Sequence, residues 1–285
     1  MTTPITQVVV CAGGLGTRVG PWARHVPKEF QPVAGRPGIL HLLDELTALA
    51  PARVVVVHHP FYTPFIAWAA TTLTRGGQAA YQHAARLPRT DLPLHEQLDL
   101  HFTPQRGHYA DITSVLNGAE HLRPTSDLHV AFADNLYPHD NPSLALATVP
   151  AGRTAVLVRP YQRGQAGHRG VITARHVEGE LVLNSLVEKP TPQRALEMED
   201  AYGPANLWLL EGRARLSRRF LDWLRRTPVN PGGEPKLSMA LRRYATTTPV
   251  RLVITHSAVT DLGSPPAEHP SSTAALHRSA TPSPT

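Results

Sequence analysis

Cysteine is almost absent from this sequence: Cys11 is the single one among 285 residues. One thiol excludes a disulfide framework and a cysteine-based zinc site, and it suits a reducing compartment. Long apolar runs are missing too; none approaches the roughly 18 residues that a membrane-spanning helix needs. Residues Met1 to Thr6 lack the basic region of a secretory leader, and the apolar stretch Val8 to Ala12 is too short to form its core. The expectation is a soluble, cytoplasmic protein with no membrane partner. Aromatic residues make up only 6% of the chain and few of them stand between the arginines, so no nucleic-acid-binding motif forms and no nucleic-acid partner is expected.

Hydrophobic residues make up 41% and charged residues 18%, which suffices for a buried core and argues against a disordered chain. Glycine (20) and proline (28) together account for about one residue in six, above the usual roughly 12%. Many turns follow from that. The net charge is +6. This basic balance suits a small phosphate-rich substrate at least as well as a polynucleotide.

Gln7 to Ala12 is continuously apolar and β-branched, the pattern of a strand buried on both faces. Gly38 to Leu49 has helical spacing, Arg53 to Val57 is a second buried strand, and Pro64 to Leu73 is a helix with Thr63 as its cap. Leu98 to Phe102 is expected to be a strand, Ile112 to His121 a helix and Leu128 to Ala133 a strand closed by Asp134-Asn135. This alternation predicts a parallel sheet covered by helices. After residue 150 the connections shorten. Strands are expected at Thr154 to Arg159, Gly170 to Ala174, Leu181 to Val187, Leu207 to Leu210 and Val250 to Ile254, with helices at Leu216 to Arg225 and Leu237 to Tyr244. The expected organisation is one domain over residues 1–263, with halves at 1–150 and 151–263. A disordered tail rich in Pro, Ser and Thr follows at 264–285, and Ala84 to Leu94 is expected to be a surface excursion.

A glycine-rich loop, Gly13-Gly14-Leu15-Gly16-Thr17-Arg18, follows the first strand. Ligands of open α/β sheets bind beyond the carboxyl ends of strands, and glycines let backbone N–H groups approach a phosphate or base. The dinucleotide fingerprint fails because Val19 stands where its third glycine belongs, and no Lys is close enough for a Walker loop. What stands here is Gly14-x-Gly16-x-Arg18, then Pro21, Pro27-Lys28, Pro32-Val33 and Arg36-Pro37.

Those residues resemble the signature of the sugar nucleotidyltransferases (nucleotide-sugar pyrophosphorylases). The Pro-Lys-Glu form is most similar to the bacterial UTP–glucose-1-phosphate uridylyltransferase branch. The resemblance implies a Rossmann-like, mostly parallel α/β sheet flanked by helices, of the nucleotide-diphospho-sugar transferase type, with a mixed sheet in the sugar-binding half. It further implies a Mg²⁺-dependent reaction of an NTP with a sugar 1-phosphate, giving an NDP-sugar and pyrophosphate. UTP and glucose 1-phosphate are the first expectation. The alternatives are dTTP, an unusual sugar or cyclitol phosphate, and a non-catalytic nucleotide-binding relative.

The same resemblance assigns roles by position. Arg18 and Lys28 are the implied catalytic cations on the triphosphate. Ala12, Gly13, Gly14, Gly16 and Gln105 are the implied nucleotide-binding set. Gly170, Glu188, Lys189 and Asn206 fall at the sugar phosphate, and Asp134 and Asp261 at the metal. Such chemistry needs cations around several phosphates, and Mg²⁺ prefers oxygen ligands. The sequence departs from the family pattern in Trp22-Ala23 after Pro21, in Arg36 for the usual Lys, in the segment Arg106 to Asp111 and in the bulky Trp208. The family's usual extra C-terminal helix is missing, which leaves homo-oligomerisation open.

Overall fold

The computed structural model describes residues 7–74, 76–86, 93–123, 126–227 and 235–264. The predicted tail, apart from Ser264, and residues 87–92 of the predicted surface excursion lie outside that set.

Strand β1 (Gln7–Ala12) is buried along its whole length. Its alternation sorts its two faces. Val8, Val10 and Ala12 pack with Leu42, Leu43 and Leu46 of helix α1 (Gly38–Thr47), whereas Val9 and Cys11 pack with Ile112 and Val115 of helix α4 (Asp111–Ala119). Between the glycine-rich loop and α1 lies a two-residue hairpin, β2 (Pro32–Val33) and β3 (Arg36–Pro37).

Next come β4 (Arg53–His58), α2 (Thr63–Leu73), α3 (Gly77–Ala84), β5 (Leu100–Pro104), α4, β6 (Leu128–Phe132), β7 (Asn135–Leu136) and α5 (Pro142–Ala147). Strands β5, β4, β1 and β6 lie side by side and parallel, in that order. The chain therefore runs outward from β1 and then returns across it to β6. That reversal is the switch point at which ligand crevices open in such sheets. The loops that diverge there carry Gly13 to Arg18 on one side and Asp134 on the other.

The remainder is β8 (Thr154–Pro160), β9 (Gly170–Val177), β10 (Glu180–Glu188), α6 (Pro192–Tyr202), β11 (Leu207–Leu216), α7 (Arg218–Arg226), α8 (Leu237–Tyr244), β12 (Val250–Ile254) and β13 (Thr260–Asp261). Strand β11 joins the halves. Its C-terminal part pairs antiparallel with β6, its N-terminal part with β9, and its other edge with β8. The sheet is thus mixed in this half, as expected. The register against β8 shifts between Leu210 and Ala214. Such a bulge re-aims side chains, and here it carries Glu211 and Gly212 to the cleft wall.

Several boundaries differ from the sequence expectation. Thr63 is not the cap of α2 but its first residue; Tyr62 is the cap, and the Thr63 hydroxyl turns back to the Pro60 carbonyl at 2.8 Å. Strand β11 is 10 residues long rather than ending at Leu210, because it continues through the buried Arg213 and Arg215 to Leu216. Glu45 neutralises Arg213 and Asp127 neutralises Arg215, at 2.8 and 3.0 Å. Helix α7 then starts after Ser217, whose side chain accepts from the Phe220 N–H. Helices α3, α5 and α6 are additions to the predicted elements.

Candidate active site

The cleft at the switch point has a larger chamber of about 620 Å³ and a smaller one of about 210 Å³. Both are lined by Arg18, Asp134, Glu188 and Lys189. The larger one is of the size that small-molecule sites take, roughly 300–1,000 Å³.

Gly13 continues the β1 alternation toward α4. A Cβ there would lie 2.5 Å from Gln105 Oε1 and 3.0 Å from Ser114 Oγ. Only glycine lets the Gln105 amide lie against the loop. That amide is held from three sides: Nε2 donates to the carbonyls of His108 (3.0 Å) and Ala110 (3.2 Å), and Oε1 accepts from Ser114 (2.7 Å). Gly16 sits at φ +62°, the left-handed region that glycine tolerates best. The Tyr62 hydroxyl braces the loop by reaching the carbonyls of Leu15 and Ala23.

Lys28 is only 7% exposed. Its ammonium forms an ion pair with Asp134 and lies 3.6 Å from Glu29 Oε1. Burial disfavours that charge, but the carboxylates of Asp134, Glu29 and Asp261 outweigh it and hold Lys28 firmly protonated. Burial also opposes the charge of Asp134; Lys28, the Asn135 amide and Arg169 override it and bring Asp134 down to about 2. Glu29 goes the other way. Burial raises it to about 7 against the pull of Lys28, and its Oε2 is buried without a hydrogen-bond partner among the described residues.

The second carboxylate arrives on a short ribbon. Strand β13 pairs with β7, placing Asp261 opposite Asn135, and the Leu262 N–H donates to the Asp134 carbonyl at 2.8 Å. The Gly263 N–H donates to Asp261 Oδ1 at 2.7 Å. Gly263 marks where the groups meet: a Cβ there would be 3.0 Å from Asp261 Oδ1, 3.3 Å from Arg18 Nη2 and 3.5 Å from Asp134 Oδ2. Arg18 and Lys189 have exposed side chains without an ion-pair partner among the described residues. Two free cations thus overlook a carboxylate pair, which suits a polyanion.

On the far side, Glu188 closes β10 opposite Gly170. A Cβ on Gly170 would lie 3.2 Å from Glu188 Oε2. Lys189 follows at φ +45°, an uncommon conformation for a side-chain-bearing residue that is fixed by its N–H bond to the Arg169 carbonyl.

Arg18, Lys28, Gly13, Gly14, Gly16, Gln105, Gly170, Glu188, Lys189, Asp134 and Asp261 all line the cleft. Two predicted residues do not. Ala12 faces α1 in the core, as its place in the alternation requires. Asn206 precedes β11, is exposed, and donates its amide to the Tyr202 carbonyl at the end of α6 (2.8 Å), so it is not brought to the wall of either chamber. The asparagine in the cleft wall is Asn135. Glu29, Tyr109, Asp111, Arg169, Glu211 and Lys236 also line the cleft without having been picked from the sequence. Glu29 carried a signal in its place beside Lys28, and Tyr109 and Asp111 in their place within the altered segment Arg106 to Asp111.

The family described as Nucleotidyl transferase matches residues 7–212. The chain belongs to the nucleotidyl transferase family. It is 21% identical to UTP–glucose-1-phosphate uridylyltransferase YngB of Bacillus subtilis, over 92% of this chain and 86% of that protein. A match with Bifunctional protein GlmU of Paramagnetospirillum magneticum is 47% identical but short: 60 residues, 21% of this chain and 13% of that relative's length. Among solved structures, a UDP-glucose pyrophosphorylase complexed with UDP-glucose superposes with a TM-score of 0.70 at 21% identity, covering 91% of this chain and 94% of that one. The inositol-1-phosphate CTP transferase from T. maritima reaches 0.67 at 12% identity, over 93% and 92%. At such identities the structural likeness is one of fold, and it is the nucleotide-diphospho-sugar transferase fold that the sequence motifs predict. No helix of the described residues is long and apolar enough to cross a membrane.

Proposed function

We propose that this nucleotidyl transferase joins an NTP, UTP in the first instance, to a sugar 1-phosphate, with glucose 1-phosphate as the reference acceptor. A phosphate oxygen of the acceptor attacks the α-phosphorus. The bond from that phosphorus to the bridging oxygen breaks, and pyrophosphate leaves with the electron pair. NDP-sugar and pyrophosphate are the products. The observation that carries this reading is the meeting of Asp134, Asp261 and Arg18 around Gly263, with Lys28 behind Asp134 and Lys189 across the cleft.

Positioning and charge neutralisation dominate phosphoryl-type transfers. In this reading Arg18 and Lys28 address the triphosphate, the fork-shaped guanidinium from the loop end and the compact ammonium from the buried side. Lys189 takes the acceptor phosphate and Glu188 accepts hydrogen bonds from sugar hydroxyls. Gln105, already fixed by three partners, presents a rigid edge to the base.

Mg²⁺ fits the donor set. Asp134 in the turn before β7 and Asp261 in its partner strand β13 offer oxygens, and no group of three or more His, Cys, Asp or Glu among the described residues could hold a metal by itself. Substrate phosphates and water would complete the shell, as this ion prefers. When bound it would supply Lewis-acid neutralisation of phosphate charge.

The test is pyrophosphate release from UTP and glucose 1-phosphate, with Mg²⁺ and then with excess chelator. Release that depends on both substrates and on the metal supports the reading. Absence of release across the common NTPs and a panel of sugar 1-phosphates would overturn it.

A further inference from the structure

Strand β9 is preceded by Arg169, and the bulge in β11 carries Glu211. Glu211 is buried, and three groups converge on its carboxylate: Arg159 Nε at 3.0 Å, the Tyr137 hydroxyl at 3.1 Å and Arg169 Nη1 at 3.1 Å. Two guanidinium groups therefore share one carboxylate, and the further ion pair of Arg169 among the described residues is with Asp261. Of the two arginines, Arg169 is the one that lines the smaller chamber. Its side chain is only 10% exposed.

Arg169 Nη1 is engaged by Glu211 and by Asn135 Oδ1 at 2.8 Å. Its Nη2 lies 3.7 Å from Asp261 Oδ2, beyond hydrogen-bond reach, and neither Nη2 nor Nε has a hydrogen bond among the described residues. A guanidinium has five N–H donors in a rigid plane. Here two are spent, and the other three belong to a nearly buried cation in the wall of the acceptor chamber. Hydroxyls alone would leave that charge uncompensated, which is costly away from water. In the proposed reaction Asp261 serves the metal, so it does not neutralise Arg169 either.

The ladder β9–β10 places Arg169 opposite Lys189. Both residues line the smaller chamber, so one chamber offers two cationic anchors to one small acceptor.

We infer that the acceptor is an acidic sugar 1-phosphate, a hexuronic acid 1-phosphate whose carboxylate pairs with Arg169 while its phosphate is held by Lys189. This rests on the proposed nucleotidyl transfer for the identity of the chamber. The planar fork of Arg169 matches a carboxylate in two-point geometry. Arg159 and Tyr137 fix the fork by holding Glu211 from behind.

The test compares glucuronic acid 1-phosphate with glucose 1-phosphate by calorimetry, in the presence of Mg²⁺ and a UTP analogue with a methylene bridge between its α- and β-phosphorus. The wild-type protein is expected to bind the uronate at least tenfold more tightly. That preference should fall to within twofold in Arg169→Gln and be retained in part in Arg169→Lys. Equal or weaker binding of the uronate by the wild-type protein would overturn the inference whether or not either variant folds. So would a preference that persists in a folded Arg169→Gln. Turnover is read separately with UTP: pyrophosphate release from glucose 1-phosphate without a uronate preference would sink this inference and leave nucleotidyl transfer standing. A uronate binding preference without any release would do the reverse.

Discussion

Asp261 pairs with Asn135 across a two-residue antiparallel ribbon, so the second carboxylate of the cleft is registered one residue away from the first, Asp134. More than 120 residues of chain separate the two acids, yet only backbone hydrogen bonds lie between them. The Gln31 amide ties the same ribbon to the Lys28 segment by donating to the Leu262 carbonyl at 3.3 Å. Lys28, Asp134 and Asp261 are therefore set by one small, cross-braced unit.

Lys28→Ala is expected to lower kcat/KM by about 10²–10³-fold, the usual cost of removing one preorganised charge donor. Steady-state kinetics give the ratio and circular dichroism shows whether the fold persists. Activity within twofold of wild type would remove Lys28 from the triphosphate site.

Asp134→Asn keeps the shape and removes the charge that Lys28 and Asn135 address. The Mg²⁺ concentration for half-maximal activity should rise by at least the roughly 10–100-fold that loss of a supporting partner costs a metal site. An unchanged metal titration would contradict a metal role for Asp134.

Glu29 gives a pH signature. Its folded carboxyl is raised from 4.5 to about 7, so between those values the folded state binds more protons than the unfolded one. The stability this contributes is fully present below pH 4.5 and is lost as pH rises through about 7. Glu29→Gln should therefore gain on wild type between pH 5 and pH 8, by about 1–3 kcal/mol, read as diverging Tm curves. Parallel curves would show that the carboxyl titrates normally.

Arg213→Ala would leave the Glu45 carboxylate buried without its partner. The expected loss is about 3–5 kcal/mol, a fall in Tm on the order of 10 °C for a chain of this size. Adding Glu45→Leu should recover much of it. A single variant that melts with wild type would mean that the pair contributes nothing.

What was legible in the sequence follows from burial. Strands β1 and β4 are covered on both faces and read as nearly continuous β-branched runs. The second half of β11 was illegible because Arg213 and Arg215 look like surface residues until Glu45 and Asp127, far away in sequence, neutralise them. Helix α6 opens with Pro192 and has a largely polar sequence, so its apolar stripe (Ala195, Met198) was too narrow to show. At the site, the loop motif disclosed Arg18 and Lys28, and short motifs disclosed Asp134, Glu188 and Asp261. Arg169, Glu211 and Asn135 act only through contacts between separate strands. No spacing in the chain announces those contacts.

In the proposed reaction this cleft directs a sugar phosphate onto the α-phosphorus of an NTP. The most direct measurement uses an acceptor labelled with ¹⁸O in its phosphate, turned over with UTP and Mg²⁺, and mass spectrometry of both products. Attack by the acceptor phosphate leaves all of the label in the NDP-sugar and the pyrophosphate unlabelled. Label in the pyrophosphate, or consumption of UTP with no NDP-sugar formed, would contradict it.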